Sequence, residues 1–192
     1  MTFAALPARA AWQHRLARHG FEVMFVRTRA SGRRLTGHTA AVEGDEPWAV
    51  GYDISIDANW LTRAAHVWAS SPAGEHEVRL DTDASGHWRI DGVAAPHIDG
   101  CLDVDLESSA CTNTLPVHRL RLGVGQRAES PAAYVRAPHL DVERLEQQYV
   151  RVDDNGTQRY DYAAPAFDVE CRLVYDDSGL VVDYPGIAAR VL

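Results

Sequence analysis

Residues 99–122 read DGCLDVDLESSACTNTLPVHRLRL. This stretch decides the fold, because a strand here runs into the one helical segment of a chain that otherwise reads as strand. Over residues 101–106 apolar and acidic side chains alternate, with Leu102, Val104 and Leu106 on one face and Cys101, Asp103 and Asp105 on the other. The spacing predicts a strand with an acidic face. After Glu107-Ser108-Ser109, Thr112 and Asn113 suit an N-cap, Pro116 suits a first helical turn, and Leu115, Val117 and Leu120 supply an apolar surface. A helix over about 112–122, enclosed by the rest of the chain, is predicted.

Outward from that stretch the pattern is strand and turn. Residues 48–57 alternate most cleanly, with Trp48, Val50, Tyr52, Ile54 and Ile56 on one face. Residues 21–29 place Phe21, Val23 and Phe25 on one face and Met24 and Val26 on the other, which predicts a strand covered on both sides. Asp83-Ala84-Ser85-Gly86, Asp91-Gly92, Asp154-Asn155-Gly156 and Asp176-Asp177-Ser178-Gly179 mark hairpin turns. Two stretches, residues 59–70 and 140–152, satisfy helix and strand equally on periodicity. The first ordered strand is expected near Trp12, with residues 1–10 loose, and Pro185-Gly186 is expected to end the sheet. The fold class is all-β with one α-helix, in a single domain over residues 1–192 laid out as a meander of hairpins.

A chain of 192 residues that is 46% hydrophobic is long enough for one sizeable core. Its 19 basic residues are all arginine and its 27 acidic residues leave a net charge of −8, a balance that disfavours nucleic acid and anionic membrane surfaces as partners. Without lysine there is no Schiff-base chemistry. Cys101, Cys111 and Cys171 are odd in number and lack Cys-x-x-Cys spacing, so reduced thiols are expected. No apolar run reaches the length of a membrane span or a signal core, and the expected compartment is the cytoplasm. A homodimer is compatible with the sequence, which carries no mark of oligomeric state.

Three motifs carry a resemblance. They are Asp99 with Gly100-Cys101-Leu102-Asp103-Val104-Asp105-Leu106, then Thr112-Asn113-Thr114-Leu115-Pro116-Val117-His118-Arg119-Leu120, and near the end Gly179-Leu180-Val181-Val182-Asp183-Tyr184-Pro185-Gly186. In this order, and with the spacing of Trp48 to Trp60, of 87–92 and of Gln148-Tyr149 to Tyr160, they resemble the "putative glycolipid-binding" family of bacterial spiral β-roll proteins. The resemblance runs from about Trp12 onward. It implies a many-stranded antiparallel sheet spiralling around a single central helix, with a cavity likened to those of lipoprotein and glycolipid carriers. It also makes residues 59–70 a strand. No reaction is established for the family, and a binding protein is expected rather than an enzyme.

On that picture the roll interior binds an amphipathic small molecule such as a glycolipid. Asp103, Asp105, Asn113 and Arg119, with His118 beside them, would form a polar wall able to hydrogen-bond sugar hydroxyls, and Tyr149, Tyr160 and Tyr184 would give apolar contacts. Two alternatives stand beside it. A hydrolase of a sugar or acyl conjugate would use Asp103 and Asp105, whose carbons two residues apart on a strand lie roughly 6.5–7 Å apart, overlapping the carboxylate spacing of inverting glycosidases. An interaction module would have a solid core. The plain reading of the two carboxylates is a solvated face or an ion pair with Arg119 or Arg121. Residues 81–86 imitate a calcium loop but are followed by Gly92 at the twelfth position, so they read as a hairpin. Residues 123–128 match a dinucleotide fingerprint only in letters. His97, Asp99 and Cys101 spread along one extended segment, so a buried thiol is the expectation there. No catalytic residue, cofactor or metal site is assigned.

Overall fold

The structure, a computed structural model, describes residues 3–16, 18–83, 85–152 and 157–192. The first half of the chain forms β1 Arg9–His14, β2 His19–Arg29, β3 Gly32–Glu43, β4 Glu46–Asp57, β5 Thr62–Ser71, β6 Gly74–Thr82, β7 Trp88–Ile90 and β8 Val93–Ala94. Then β9 Asp103–Leu106 leads through a 3-10 turn, Cys111–Asn113, into α1 Thr114–Leu120. The second half forms β10 Arg127–Glu129, β11 Ala132–Val135, β12 Val142–Leu145, β13 Gln148–Val152, β14 Gln158–Ala164, β15 Val169–Tyr175, β16 Val181–Tyr184 and β17 Ala188–Arg190. Both ambiguous stretches are strand: 59–70 supplies β5, and 140–152 is divided between β12 and β13. The Asn155-Gly156 hairpin signal lies outside the described residues.

Fourteen strands make one antiparallel sheet in the order β10, β13 to β17, then β1 to β8. The two ends of the chain meet in its middle, where β17 pairs with β1 and Trp12 lies opposite Arg190. The margins, β8 and β10, are not hydrogen-bonded to each other, so the twisted sheet is an open roll and not a closed barrel. Pro185-Gly186 therefore turns the chain instead of ending the sheet. Trp12 reinforces the seam, its indole N–H donating to the Val181 carbonyl at 2.9 Å.

A second sheet of three strands, β12, β11 and β9, departs from the meander. β9 and β11 run parallel, with Asp105 opposite Tyr134. A parallel pair needs a crossover, and the segment holding α1 is that crossover. This is why the only α-helix among the described residues sits inside the roll. Its seven residues are too few to be stable alone, and Thr114 to His118 are all buried. Leu115 packs in a core with Trp12, Tyr52 and Trp88, while Val117 packs in a second core with Tyr149, Tyr160 and Tyr175. The helix joins the two halves of the roll.

α1 is shorter than the expected 112–122, for reasons visible in its flanks. Thr112 makes no cap; its hydroxyl donates to Asp105 Oδ1 at 2.7 Å. Arg121 adopts a left-handed conformation, φ 49°, and ends the helix before Gly123 is reached. β2 also departs from expectation. It is covered on one side only, leaving Phe21, Val23 and Phe25 exposed while Met24 and Glu22 point inward, both 0% exposed. Residues 3–8, expected loose, are tied down: the Ala4 N–H donates to the Asp177 carbonyl, the Ala8 carbonyl accepts from Val26, and Leu6 packs on the core.

Candidate functional site

The acidic face of β9 points into the roll. Asp103 and Asp105 are 2% and 7% exposed, and Val104 and Leu106 on the apolar face are buried too, because β9 lies between the large sheet and the crossover, while Leu102 just before it is exposed. Asp103 is consumed in an ion pair. The Arg119 Nε donates to its Oδ1 at 3.2 Å, Arg119 Nη2 pairs with Oδ2, and Ser130 Oγ donates to Oδ2 at 3.1 Å. Burial raises its pKa, and Arg119 opposes that rise. The ion-pair reading of Asp103 with Arg119 is thus the arrangement found.

Among the described residues no cation pairs with Asp105. Thr112 Oγ1 donates to Oδ1, and Gln147 Nε2 donates to Oδ2 at 2.5 Å. Burial raises its pKa, helped by the nearby Asp103 and Glu107 charges. One hydrogen bond at each oxygen leaves further lone pairs for a ligand hydroxyl. Asn113 is the hub of the tyrosines beside it: its Oδ1 accepts from the Tyr149 hydroxyl at 2.9 Å and its backbone carbonyl accepts from the Tyr175 hydroxyl at 3.1 Å.

Asp105, Asn113 and Tyr184 meet in a cleft of about 220 Å³ at the N-terminal end of α1. Its polar side also holds Arg18, Glu107, Ser109 and Arg136; its apolar side holds Tyr134, Tyr162, Phe167, Val169 and Ile187. Tyr134 and Phe167 pack with ring centroids 5.2 Å apart, and the Arg136 guanidinium lies over the Phe167 ring at 5.3 Å. Arg18 is fixed by donating from Nη1 to the Glu107 carbonyl at 3.0 Å, and Glu107 in turn accepts from the Ala137 N–H at 2.9 Å.

Of the residues singled out from sequence, then, three line this cleft. Asp103 and Arg119 satisfy each other away from it, and Tyr149 and Tyr160, both 0% exposed, are packed in the core. His118 lies at the opposite end of α1. Of the Asp103 and Asp105 pair that a hydrolase would use, only Asp105 reaches the cleft wall. Arg18, Tyr134 and Arg136 were not legible as site residues, because β11 and the loop before β2 reach the cleft only through the crossover and the roll's curl; Glu107 lies in the decisive stretch but read only as part of the polar link from strand to helix. A second depression of about 620 Å³ lies beside β3 to β6, where Arg34 pairs with Asp53 and Arg63 with Asp57; Arg33 also borders it.

The other motifs take their plain readings. In the 83–87 turn, Asp83 Oδ1 accepts from the Ser85 and His87 N–H groups, a hairpin and not an ion cradle. Asp99 Oδ1 accepts from the Trp88 N–H, and Cys101 is a buried thiol. Among the described residues no group of three or more His, Cys, Asp or Glu is placed to hold a metal. Among the described residues no helix is long and apolar enough to cross a membrane.

The profile of a family described as "Putative glycolipid-binding" matches residues 9–190. The chain belongs to this family. A solved structure similar to this chain is that of a DUF1089 family protein from Pseudomonas aeruginosa, 32% identical, with a TM-score of 0.74 over 100% of this chain and 97% of that one. A beta-barrel-like protein of domain of unknown function DUF1849 from Brucella abortus, 11% identical, superposes with a TM-score of 0.56 over 98% of this chain and 96% of that one. That likeness concerns the fold alone. None of the curated proteins matches the chain.

Proposed function

We propose that the cleft at the N-terminal end of α1 binds the head of an amphipathic small molecule such as a glycolipid. The observation that carries this reading is the division of the cleft's lining. Asp105, Asn113 and Glu107 offer hydrogen-bond acceptors on one side, and the rings of Tyr134, Phe167 and Tyr184 offer apolar faces on the other. A sugar needs both, acceptors for its hydroxyls and flat rings for its C–H faces. At about 220 Å³ the cleft is below the roughly 300–1,000 Å³ of sites that enclose a whole drug-sized ligand. It takes a head-sized group, and the alkyl chain leaves past Ile187 and Val169 on the rim. The three free cysteines fit a reducing compartment, and we place the binding in the cytoplasm.

Native mass spectrometry of the purified protein, followed by organic extraction, tests the reading. A lipid or glycolipid carried at near one per chain is the expected result. A protein that carries nothing, and takes up nothing when offered alkyl glycosides, defeats it in favour of an interaction protein with a filled core.

A further inference from the structure

At the C-terminal end of α1, sharing no residue with the cleft, Arg33, Trp60, His118 and Arg121 border a separate cavity of about 300 Å³. The Arg33 guanidinium sits over the Trp60 ring, 4.1 Å from its centroid. The Trp60 ring stacks on His118 with centroids 3.7 Å apart and planes 14° from parallel, and Phe3 packs on His118 at 4.2 Å. A guanidinium fixed through its face keeps its N–H edge for another partner. Arg121 reaches the same cavity from the end of the helix, where its Nε donates to the His118 carbonyl at 3.3 Å.

Two features single this place out. Trp60 and Arg121 both hold left-handed backbone conformations, φ 67° and 49°, which are unfavourable for a side-chain-bearing residue and gather where a site is being shaped. The charges are also unbalanced. The carboxylates of this region are committed elsewhere, Asp57 to Arg63, Asp103 to Arg119 and Asp176 to Arg190, and among the described residues neither Arg33 nor Arg121 pairs with a carboxylate. Arg33 is held below its ordinary pKa by partial burial and by the like charge of Arg121. In a chain of net charge −8, two arginines border a cavity whose described lining holds no carboxylate.

We propose that this cavity binds a phosphate group between Arg33 and Arg121. A tetrahedral dianion suits two guanidinium edges, each able to donate twice. The volume exceeds what a bare phosphate fills, and the excess lies against Phe3 and Leu6. The group is therefore one end of a phosphate ester, whether a soluble metabolite or a lipid headgroup. The inference stands apart from the cleft and survives or fails independently of it.

The test is calorimetric titration of the full chain with inorganic phosphate in place of chloride at constant ionic strength. The variants are Arg121→Gln, at an exposed position, and Arg33→Gln. The wild type is expected to bind phosphate and each variant to bind it at least about tenfold more weakly, the effect of losing one charged hydrogen-bonding group. Sedimentation with phosphatidylcholine vesicles, with and without phosphatidic acid, separates the sources. Binding to phosphatidic acid that Arg121→Gln loses assigns a lipid headgroup, and phosphate binding without vesicle binding assigns a soluble ester. A wild type that binds neither phosphate nor phosphatidic acid, or an Arg121→Gln variant that binds phosphate undiminished, overturns the proposal.

Discussion

The Tyr52 hydroxyl donates a 2.8 Å hydrogen bond to the Glu22 carboxylate, and both residues are 0% exposed. Ser109 Oγ pairs with the same oxygen, and the Ala110 N–H donates to the other at 2.8 Å. Through Glu22 the wall of the roll holds the loop that feeds the helix. Burial outweighs these hydrogen bonds and lifts the Glu22 pKa to about 7, against an ordinary 4.5.

That shift has a sign. Between pH 4.5 and 7 the folded chain keeps a proton on Glu22 that the unfolded chain releases, so this group's contribution is full below pH 4.5 and declines as pH rises through 7. The loss is about 3 kcal/mol. Glu22→Gln cannot ionise. Urea unfolding of both proteins at pH 4.5 and pH 8 is expected to show the wild type losing about 3 kcal/mol relative to the variant. Parallel pH profiles would remove Glu22 from the titration.

Gly37 makes room for Tyr52. A Cβ on Gly37 would lie 2.3 Å from the Tyr52 hydroxyl oxygen and 2.6 Å from the Val23 carbonyl oxygen, so Gly37→Ala must displace the ring and break its bond to Glu22. The expected cost is about 3 kcal/mol, overpacking plus a lost hydrogen bond to a charge-bearing group. Guanidinium unfolding measures it, and a cost under about 1 kcal/mol would mean that Tyr52 is free to shift.

The Asp103 and Arg119 pair is a burial problem before it is a source of stability. Arg119→Met leaves a carboxylate that is 2% exposed with only Ser130 to satisfy it, and costs about 3 kcal/mol. Asp103→Leu combined with Arg119→Met removes both charges and is expected to be more stable than Arg119→Met alone. A double variant less stable than the single by denaturant unfolding would refute this account.

His14 and His118 contribute to the acid limb of stability, beside carboxylates held below their ordinary pKa such as Asp57 and Asp176. Burial, with Arg18 acting on His14 and with Arg33 and Arg121 acting on His118, lowers both pKa values to about 4 from 6.5. The folded chain stays neutral at these rings where the unfolded chain gains protons, so their contribution is whole above pH 6.5 and declines as pH falls to 4. His14→Gln is expected to flatten the acid limb by up to about 3 kcal/mol between pH 6.5 and 4. An unchanged limb would assign the acid loss elsewhere.

What the sequence disclosed followed the reach of its signals. Alternation is local, so β4 and the inward set Trp48, Val50, Tyr52, Ile54 and Ile56 could be read directly. The face of β2 could not, because alternation separates two faces without saying which is covered. The apolar Phe21, Val23 and Phe25 are exposed, and the buried side includes a carboxylate whose partners come from Ser109 and Ala110, far along the chain. Asp105 and Asn113 were legible because they belong to the decisive stretch itself. Tyr134 was not, since its place opposite Asp105 depends on a parallel pairing that no hairpin signal encodes.

The cleft reading makes a sharper demand than binding alone. Asp105 is already hydrogen-bonded by Thr112 and Gln147, and a sugar hydroxyl would use the lone pairs that remain. Asp105→Asn replaces one acceptor oxygen with a donor and leaves the apolar wall intact. It is expected to weaken binding of octyl glucoside by about tenfold, the worth of one hydrogen bond to a charged group, while leaving that of octanol unchanged. Phe167→Ala, on the opposite wall, is expected to weaken both. Calorimetric titration of each variant with each compound distinguishes the contributions. If Asp105→Asn weakens octanol as much as octyl glucoside, Asp105 supports the shape of the cleft and does not recognise a sugar.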